Sequence, residues 1–207
     1  MTSYPKIGLF LKIAPLFFAL ICRTIWAADI PQGNVTDSRV INSPSDEPGS
    51  WLTYGQNFKE QRFSELTQIN TDTIARLGLA WTTQIGDYNM RMQGTPLVVD
   101  GVMYVSNGWS VIYALDATTG EEIWKYDPEV DRSYIRLACC GPAHNRGVAV
   151  YEGKVFVGTF DGRLIAVNAE TGDEVWDVDT WIPEGLGRFN ITGAPRAAAG
   201  KVYIGQG

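Results

Sequence analysis

Short apolar runs separated by turn signals recur through the second half of the chain. Asp100-Gly101 stands between two such runs, and Glu152-Gly153 does the same later in the sequence. An acidic residue followed by glycine, between runs of β-branched and aromatic residues, favours a β-hairpin. Asp161-Gly162 precedes a further run, Arg163–Val167. The pattern therefore predicts antiparallel β-structure.

These runs belong to an internal repeat. The segment Ala114–Trp124 (ALDATTGEEIW) is matched by Ala166–Trp176 (AVNAETGDEVW), 52 positions later. The hairpin glycines Gly101 and Gly153 have the same spacing, and Gly200 begins a third copy. Four short strands per repeat of this length are typical of a blade in a β-propeller. The predicted fold class is all-β, with four-stranded blades.

Tryptophan residues accompany the repeat. Trp124 and Trp176 close its two copies, and Trp81 precedes the first copy. We expect these side chains to pack blade against blade, since burying an indole ring contributes about 2–3 kcal/mol. Outside the repeat, a short helix or turn is expected around Thr71–Leu77.

The number of repeats is too small for a closed ring. At about 40–50 residues per blade, the chain holds at most three blades, whereas propellers close with about four to eight. An open fan leaves strand edges unpaired. We therefore predict that residues 51–207 are the N-terminal blades of a truncated propeller. Residues 28–50, rich in Pro, Ser, Asp and Asn, are expected to be an irregular lead-in.

The first 27 residues have the pattern of a secretory signal peptide. Lys6 and Lys12 give a basic start, Ile13–Ile21 is apolar, and Ala27 offers a cleavage site. The apolar run is too short to span a membrane. We expect export to the periplasm, with no transmembrane span after cleavage. An uncleaved anchor, a buried helix and, less consistent with the neighbouring Ile21, a lipoprotein at Cys22 are the alternatives.

Charge and composition exclude several classes of function. The formal net charge is −6 and no basic run occurs, which disfavours nucleic acid as a partner. The sequence contains no metal-ligand cluster, glycine-rich phosphate loop or Ser/His/Asp set. His144, the only histidine, is expected to be a loop residue rather than a base.

After removal of the signal peptide, the cysteines left in the chain would be the adjacent pair Cys139 and Cys140. In an oxidising compartment these thiols are expected to pair with each other. Their Cα atoms would be about 3.8 Å apart, closer than the roughly 4.4–6.8 Å of ordinary disulfides. The bridge would form a tight ring with a flat sulfur face. The alternative is a free or intermolecularly paired dithiol.

The cysteine pair and the following Asn145-Arg146-Gly147 resemble the pyrroloquinoline-quinone (PQQ)-dependent alcohol dehydrogenases, including methanol and ethanol dehydrogenases. The resemblance covers nearly all of the mature chain and implies an eight-bladed propeller. The tryptophan repeats also occur in propellers that are not enzymes, whereas the cysteines with Arg146 are more specific. The other matching motifs are Trp51-Leu-Thr-Tyr54-Gly55, Gln61-Arg-Phe-Ser64, Gly94–Tyr104 and Thr192–Pro195.

The resemblance implies a site for PQQ, a flat ortho-quinone with three carboxylates. A Cys139–Cys140 disulfide would cover one face, and Arg146 would bind carboxylate or quinone oxygens as a fork. Thr192 would hydrogen-bond a carboxylate, and Gln93 would contact the cofactor where many relatives have glutamate. Alternatively, Arg146 forms an ordinary surface ion pair and Thr192 serves a turn.

The implied reaction oxidises an alcohol to an aldehyde, with electrons leaving to cytochrome c or a quinone acceptor. In the family, Ca²⁺ or a lanthanide polarises the quinone and an aspartate takes the hydroxyl proton. We assign no catalytic or metal-ligating residue within this chain, because these groups and any haem c domain are expected downstream. The chain alone is therefore expected to be inactive. The alternatives are a non-catalytic propeller scaffold of the cell envelope or a quinone-dependent sugar dehydrogenase.

Overall fold

A computed structural model describes residues 31–86, 91–133, 143–180 and 189–207. The predicted signal peptide and the pair Cys139–Cys140 lie outside these residues. The elements are α1 (Asp37–Asp46), a 3₁₀-helix (Ile74–Arg76), β1 (Arg91–Met92), β2 (Leu97–Val99), β3 (Val102–Ser106), β4 (Ile112–Asp116), β5 (Glu122–Tyr126), β6 (His144–Asn145), β7 (Ala149–Tyr151), β8 (Lys154–Gly158), β9 (Arg163–Asn168), β10 (Glu174–Asp179), β11 (Arg196–Ala198) and β12 (Lys201–Tyr203).

The strands form two complete blades and one hairpin of a third. Strands β2–β5 make one antiparallel four-stranded sheet in sequence order, and β7–β10 make the next. Strands β11 and β12 pair in the same antiparallel manner. The predicted all-β fold of four-stranded blades is confirmed, and the described part of the chain is an open, incomplete propeller.

The hairpin turns adopt the backbone that their sequences predict. Asp100 and Gly101 have φ angles of +53° and +79°, and Glu152 and Gly153 have +46° and +73°. Two successive residues with positive φ define the type I′ turn, whose twist matches that of the flanking strands. Both predicted hairpins are therefore confirmed.

Tryptophan side chains pack on the turn before the last strand of each complete blade. Trp81 donates its indole N–H to the carbonyl oxygen of Ala117 at 3.2 Å, and Trp124 donates to Ala169 at 3.1 Å. The ring of Trp124 covers Gly172, where a Cβ atom would lie 2.8 Å from the indole. The predicted packing of blade against blade is confirmed for Trp124, whereas Trp81 lies outside the described strands and packs on the turn of the first complete blade. Trp176 is half-buried and packs on Phe156 of its own blade with ring centroids 5.8 Å apart.

The main core lies between the two complete blades. Its members are buried aliphatic residues of β2, β4, β7, β8 and β9 and of the N-terminal segment, together with Tyr104 and Trp124, whose ring centroids are 5.9 Å apart. The Tyr104 hydroxyl donates to the carbonyl oxygen of Ala169 at 3.0 Å, which satisfies its buried polar atom. Apolar burial and the contacts of Trp124 thus hold the two complete blades together.

The expectation of an irregular lead-in over residues 28–50 was wrong for Asp37–Asp46, which form helix α1. Thr36 caps the helix by accepting a hydrogen bond from the backbone N–H of Arg39. The helix buries Val40 and Ser43 against the blades. Contacts with distant parts of the chain therefore stabilise a segment whose composition, including Pro44, argued against a helix.

The lead-in reaches the turn of the first hairpin in each of the three described blades. Arg39 binds Asp100 at 2.6 Å, and the backbone N–H of Glu152 donates to the Val35 carbonyl at 2.9 Å. The Asp37 carboxylate accepts from the backbone N–H of Ala199 at 2.9 Å. The segment is thus a strap across one end of the propeller.

The 3₁₀-helix at Ile74–Arg76 confirms the short helix predicted around Thr71–Leu77. None of the helices in the described ranges combines the length and apolar character that a membrane crossing requires.

Candidate functional site

The three described residues of the predicted cofactor site lie at equivalent places in the fold. Gln93 precedes β2, Arg146 precedes β7 and Thr192 precedes β11, so each lies shortly before the first strand of a blade. These first strands converge, because Leu97, Val150 and Ala197 line one narrow cavity between them. The residues therefore meet at the end of the propeller opposite the α1 strap.

A short parallel strand pair brings Gln93 to Arg146. Strand β1 pairs with β6 so that Met92 lies opposite Asn145, and the backbone N–H of Gln93 donates to the Asn145 carbonyl at 3.4 Å. Gly94 then passes close to Gly147, where a Cβ atom on Gly94 would lie 3.2 Å from the Gly147 Cα. A side chain at position 94 would push the two segments apart.

Arg146 and Thr192 are joined twice. The guanidinium Nη1 of Arg146 donates to the Thr192 hydroxyl oxygen at 2.6 Å, and the Arg146 backbone N–H donates to the Thr192 carbonyl at 3.0 Å. Arg146 and Gln93 are exposed, and Thr192 is half-buried. Among the described residues, Thr192 is the one side-chain hydrogen-bond partner of the Arg146 guanidinium, which has further N–H donors available for a ligand.

The donor set suits an anionic, oxygen-rich ligand. In the described parts of the chain, the ion pairs involve other arginines, and none joins Arg146 to a carboxylate. A guanidinium, an amide and a hydroxyl can all donate hydrogen bonds to carboxylate or quinone oxygens. The residues thus fit a group such as PQQ. The alternative of an ordinary surface ion pair at Arg146 finds no partner among the described residues.

Sequence reasoning missed a stack of cations beside this site. The guanidinium carbons of Arg62 and Arg196 lie 4.2 and 4.3 Å from the ring centroid of Tyr54. Arg62 also donates to the Thr95 hydroxyl at 3.1 Å, and Arg196 pairs with Glu60 at 3.4 Å. The motifs that contain Tyr54 and Arg62 contribute to the family resemblance, but their sequence does not predict that the two side chains stack.

His144 does not occupy a loop. It is buried in β6, paired in register with Arg91, and its ring lies 6.4 Å from that of Phe160 in an edge-on arrangement. The expectation of a loop residue was therefore wrong. The reason is the pairing of β1 with β6, which depends on residues far apart in the chain.

Four-stranded antiparallel blades, with tryptophan side chains packed on their turns, define a β-propeller. The PQQ family model described as glucose/ethanol/alcohol dehydrogenase, β-propeller domain, matches residues 51–179. The chain belongs to this family.

Similar proteins agree with this assignment. Quinohemoprotein alcohol dehydrogenase ADH-IIG of Pseudomonas putida is 50% identical over 181 residues, which cover 87% of this chain and 24% of that protein. 1-Butanol dehydrogenase (cytochrome c) of Thauera butanivorans is 49% identical over 159 residues, covering 77% of this chain and 23% of that protein. The chain thus spans about a quarter of the length of these relatives.

Solved structures give the same fold. The structure of ADHIIG from Pseudomonas putida HK5 superposes with a TM-score of 0.81 at 48% identity, covering 86% of this chain and 25% of that one. A europium-containing methanol dehydrogenase superposes with a TM-score of 0.72 at 38% identity, covering 82% of this chain and 29% of that one.

Proposed function

We propose that this chain is part of a periplasmic PQQ-dependent dehydrogenase that oxidises alcohols to aldehydes and passes electrons to a cytochrome c or quinone acceptor. The observation that carries the proposal is the double connection between Arg146 and Thr192, beside Gln93, before the first strands of three blades. Membership of the PQQ family and the names of the similar dehydrogenases support it.

Each described residue of the site has a binding role in the proposal. Arg146 holds a carboxylate or quinone oxygen with the guanidinium N–H groups that Thr192 leaves free. Its permanent positive charge also favours the negative charge that develops when the quinone is reduced. Thr192 and Gln93 fix the position of the ring by hydrogen bonds to its carboxylates, and the uncharged amide of Gln93 adds no repulsion.

The proposal assigns the remaining cofactor chemistry to groups that the structure does not describe. Cys139 and Cys140 form a disulfide whose flat face covers one side of the ring. When bound, PQQ accepts the hydride from the alcohol, and Ca²⁺ or a lanthanide acts on its oxygens as a Lewis acid. The metal ligands, the aspartate base and any haem c domain belong to other parts of the full-length enzyme.

The alternatives receive less support. A non-catalytic envelope scaffold would have no need for converging donors at the site. A sugar dehydrogenase would share the blades, but the similar proteins reported above carry alcohol dehydrogenase names. Alcohol oxidation is therefore the function that the comparisons favour.

The test is a PQQ titration of the full-length apo-enzyme, with binding followed by quenching of tryptophan fluorescence. Arg146→Ala is expected to weaken PQQ binding by about tenfold or more, since a hydrogen bond to a charged group contributes about 1.5–3 kcal/mol. Arg76→Ala, an exposed arginine on the 3₁₀-helix, is the matched control and should bind as the wild type does. Equal PQQ affinity in wild type and Arg146→Ala would contradict the proposed site.

A second arm of the experiment tests the reaction. The wild-type enzyme should reduce an artificial electron-accepting dye with primary alcohols only when PQQ and a Ca²⁺ or lanthanide ion are supplied. Dye reduction by sugars without any activity on alcohols would support the sugar dehydrogenase instead.

A further inference from the structure

The residue before Arg146 is buried although its neighbour is exposed. Asn145 has no accessible surface, whereas Arg146 points to solvent. A buried primary amide is costly unless its donors and acceptors are all satisfied. The partners of Asn145 therefore indicate what the residue is for.

The Asn145 side chain joins the two complete blades. Its Nδ2 donates to the Gly158 carbonyl at 2.9 Å and to the Ser110 hydroxyl at 3.2 Å, and its Oδ1 accepts from the Ser106 hydroxyl at 2.7 Å. Ser106 ends β3 of one blade, and Gly158 ends β8 of the next, at the equivalent position. Both amide protons and the carbonyl oxygen are thus used to tie one blade to its neighbour.

The remaining bonds of Asn145 reach the proposed cofactor residues. Its Oδ1 also accepts from the backbone N–H of Gly147 at 2.8 Å, which closes a turn around Arg146. The backbone carbonyl oxygen of Asn145 accepts a hydrogen bond from the backbone N–H of Gln93. The backbone N–H of the next residue, Arg146, donates to the carbonyl oxygen of Thr192. One buried residue therefore fixes the backbone from which Arg146 projects and the strand that carries Gln93.

We propose that Asn145 is a positioning residue for the cofactor site, and this inference rests on the proposed function. It acts through Arg146 and Gln93 and does not itself touch the ligand. If Asn145 served only to pack the blades, its bonds would have no need to end on the backbone of the site. Because these hydrogen bonds are directional, losing them lets the Arg146 turn move relative to Gln93 and Thr192.

The test compares variants of the full-length apo-enzyme in a PQQ titration and in chemical unfolding. Asn145→Asp keeps the shape and the acceptor oxygen, removes both N–H donors and adds a negative charge, and it should weaken PQQ binding by about tenfold or more. Ser106→Ala removes one bond to Asn145 without adding a charge, at a buried position that has no ligand contact in the proposal, and it should weaken binding by about threefold.

A matched control separates positioning from general stability. Tyr104→Phe removes a buried hydroxyl whose bond to Ala169 lies at the opposite end of the blades. This variant should unfold at lower denaturant concentration and bind PQQ within about twofold of the wild type. A residue with a purely structural role would behave as Tyr104 does.

The outcomes are distinguishable. If Arg146→Ala binds PQQ weakly while Asn145→Asp and Ser106→Ala bind it as the wild type does, the positioning role is overturned and the proposed function stands. If the wild type itself does not bind PQQ, the proposed function is overturned and this inference with it. Should Asn145→Asp fail to fold, the affinity of Ser106→Ala decides, because that substitution leaves the amide and three of its bonds in place.

Discussion

Replacing Gly172 by alanine should destabilise the propeller by separating neighbouring blades. Gly172 has a φ angle of +77°, and an added Cβ would lie 2.8 Å from the ring of Trp124. The left-handed backbone costs about 1–2 kcal/mol for a residue with a Cβ. Overpacking against the indole adds about 1–3 kcal/mol. We therefore expect a loss of about 2–5 kcal/mol in the free energy of unfolding.

Gly101→Ala is the matched control for this substitution. Gly101 has nearly the same φ angle, +79°, but an added Cβ would meet nothing within 4 Å. It should therefore cost only the backbone term of about 1–2 kcal/mol. The difference between the two variants isolates the contact between Trp124 and the turn of the next blade.

The assay is urea unfolding of the full-length protein, followed by circular dichroism, with the three proteins compared under identical conditions. Gly172→Ala should unfold at the lowest urea concentration and the wild type at the highest. If the two alanine variants lose the same free energy within about 0.5 kcal/mol, the tryptophan does not lock the blades as described.

Two further predictions concern the strap and the thiols. Arg39 donates to Glu47 and so lowers the pKa of that carboxyl below its usual 4.5; Glu47→Gln should therefore cost about 1 kcal/mol near pH 6. This cost should vanish as the pH falls through the lowered pKa of Glu47, because protonated glutamate resembles glutamine. The measurement is the free energy of unfolding of both proteins at several pH values, and a difference that stays constant with pH would contradict the prediction. The exported protein should begin at Ala28. Alkylation of the denatured protein without reductant should label neither Cys139 nor Cys140, and labelling of both would contradict the proposed disulfide.

Local sequence patterns were enough to predict the strands and turns of the blades. The acidic-Gly pairs impose positive φ angles at Asp100-Gly101 and Glu152-Gly153, and the 52-residue repeat places tryptophan over the turn of the next blade. These features depend on neighbours in the chain or on a strict repeat. Their physical cause is therefore visible in the sequence itself.

Helix α1 could not be predicted in the same way. Its stabilising contacts include the ion pair between Arg39 and Asp100, which are 61 residues apart. Pro44 within the helix and the polar composition both argued for irregular structure. Tertiary contacts outweighed these local preferences.

The family resemblance nominates residues for the candidate site, but local sequence patterns do not predict their geometry. Gln93, Arg146 and Thr192 were chosen by resemblance, and their convergence depends on the pairing of β1 with β6 and on the hydrogen bonds of Asn145. Two-residue strands have no periodicity that a sequence pattern could reveal. The stack of Arg62 and Arg196 on Tyr54 was missed because Arg196 lies far along the chain from the segment that carries Tyr54 and Arg62.

The most direct test of the account is a crystal structure of the full-length enzyme with PQQ bound. The account predicts that a guanidinium nitrogen of Arg146 lies about 2.7–3.0 Å from a PQQ oxygen, with Thr192 on the same side of the ring. PQQ bound elsewhere, or lying beside an Arg146 side chain directed away from it, would contradict the assignment of this end of the propeller as the cofactor site.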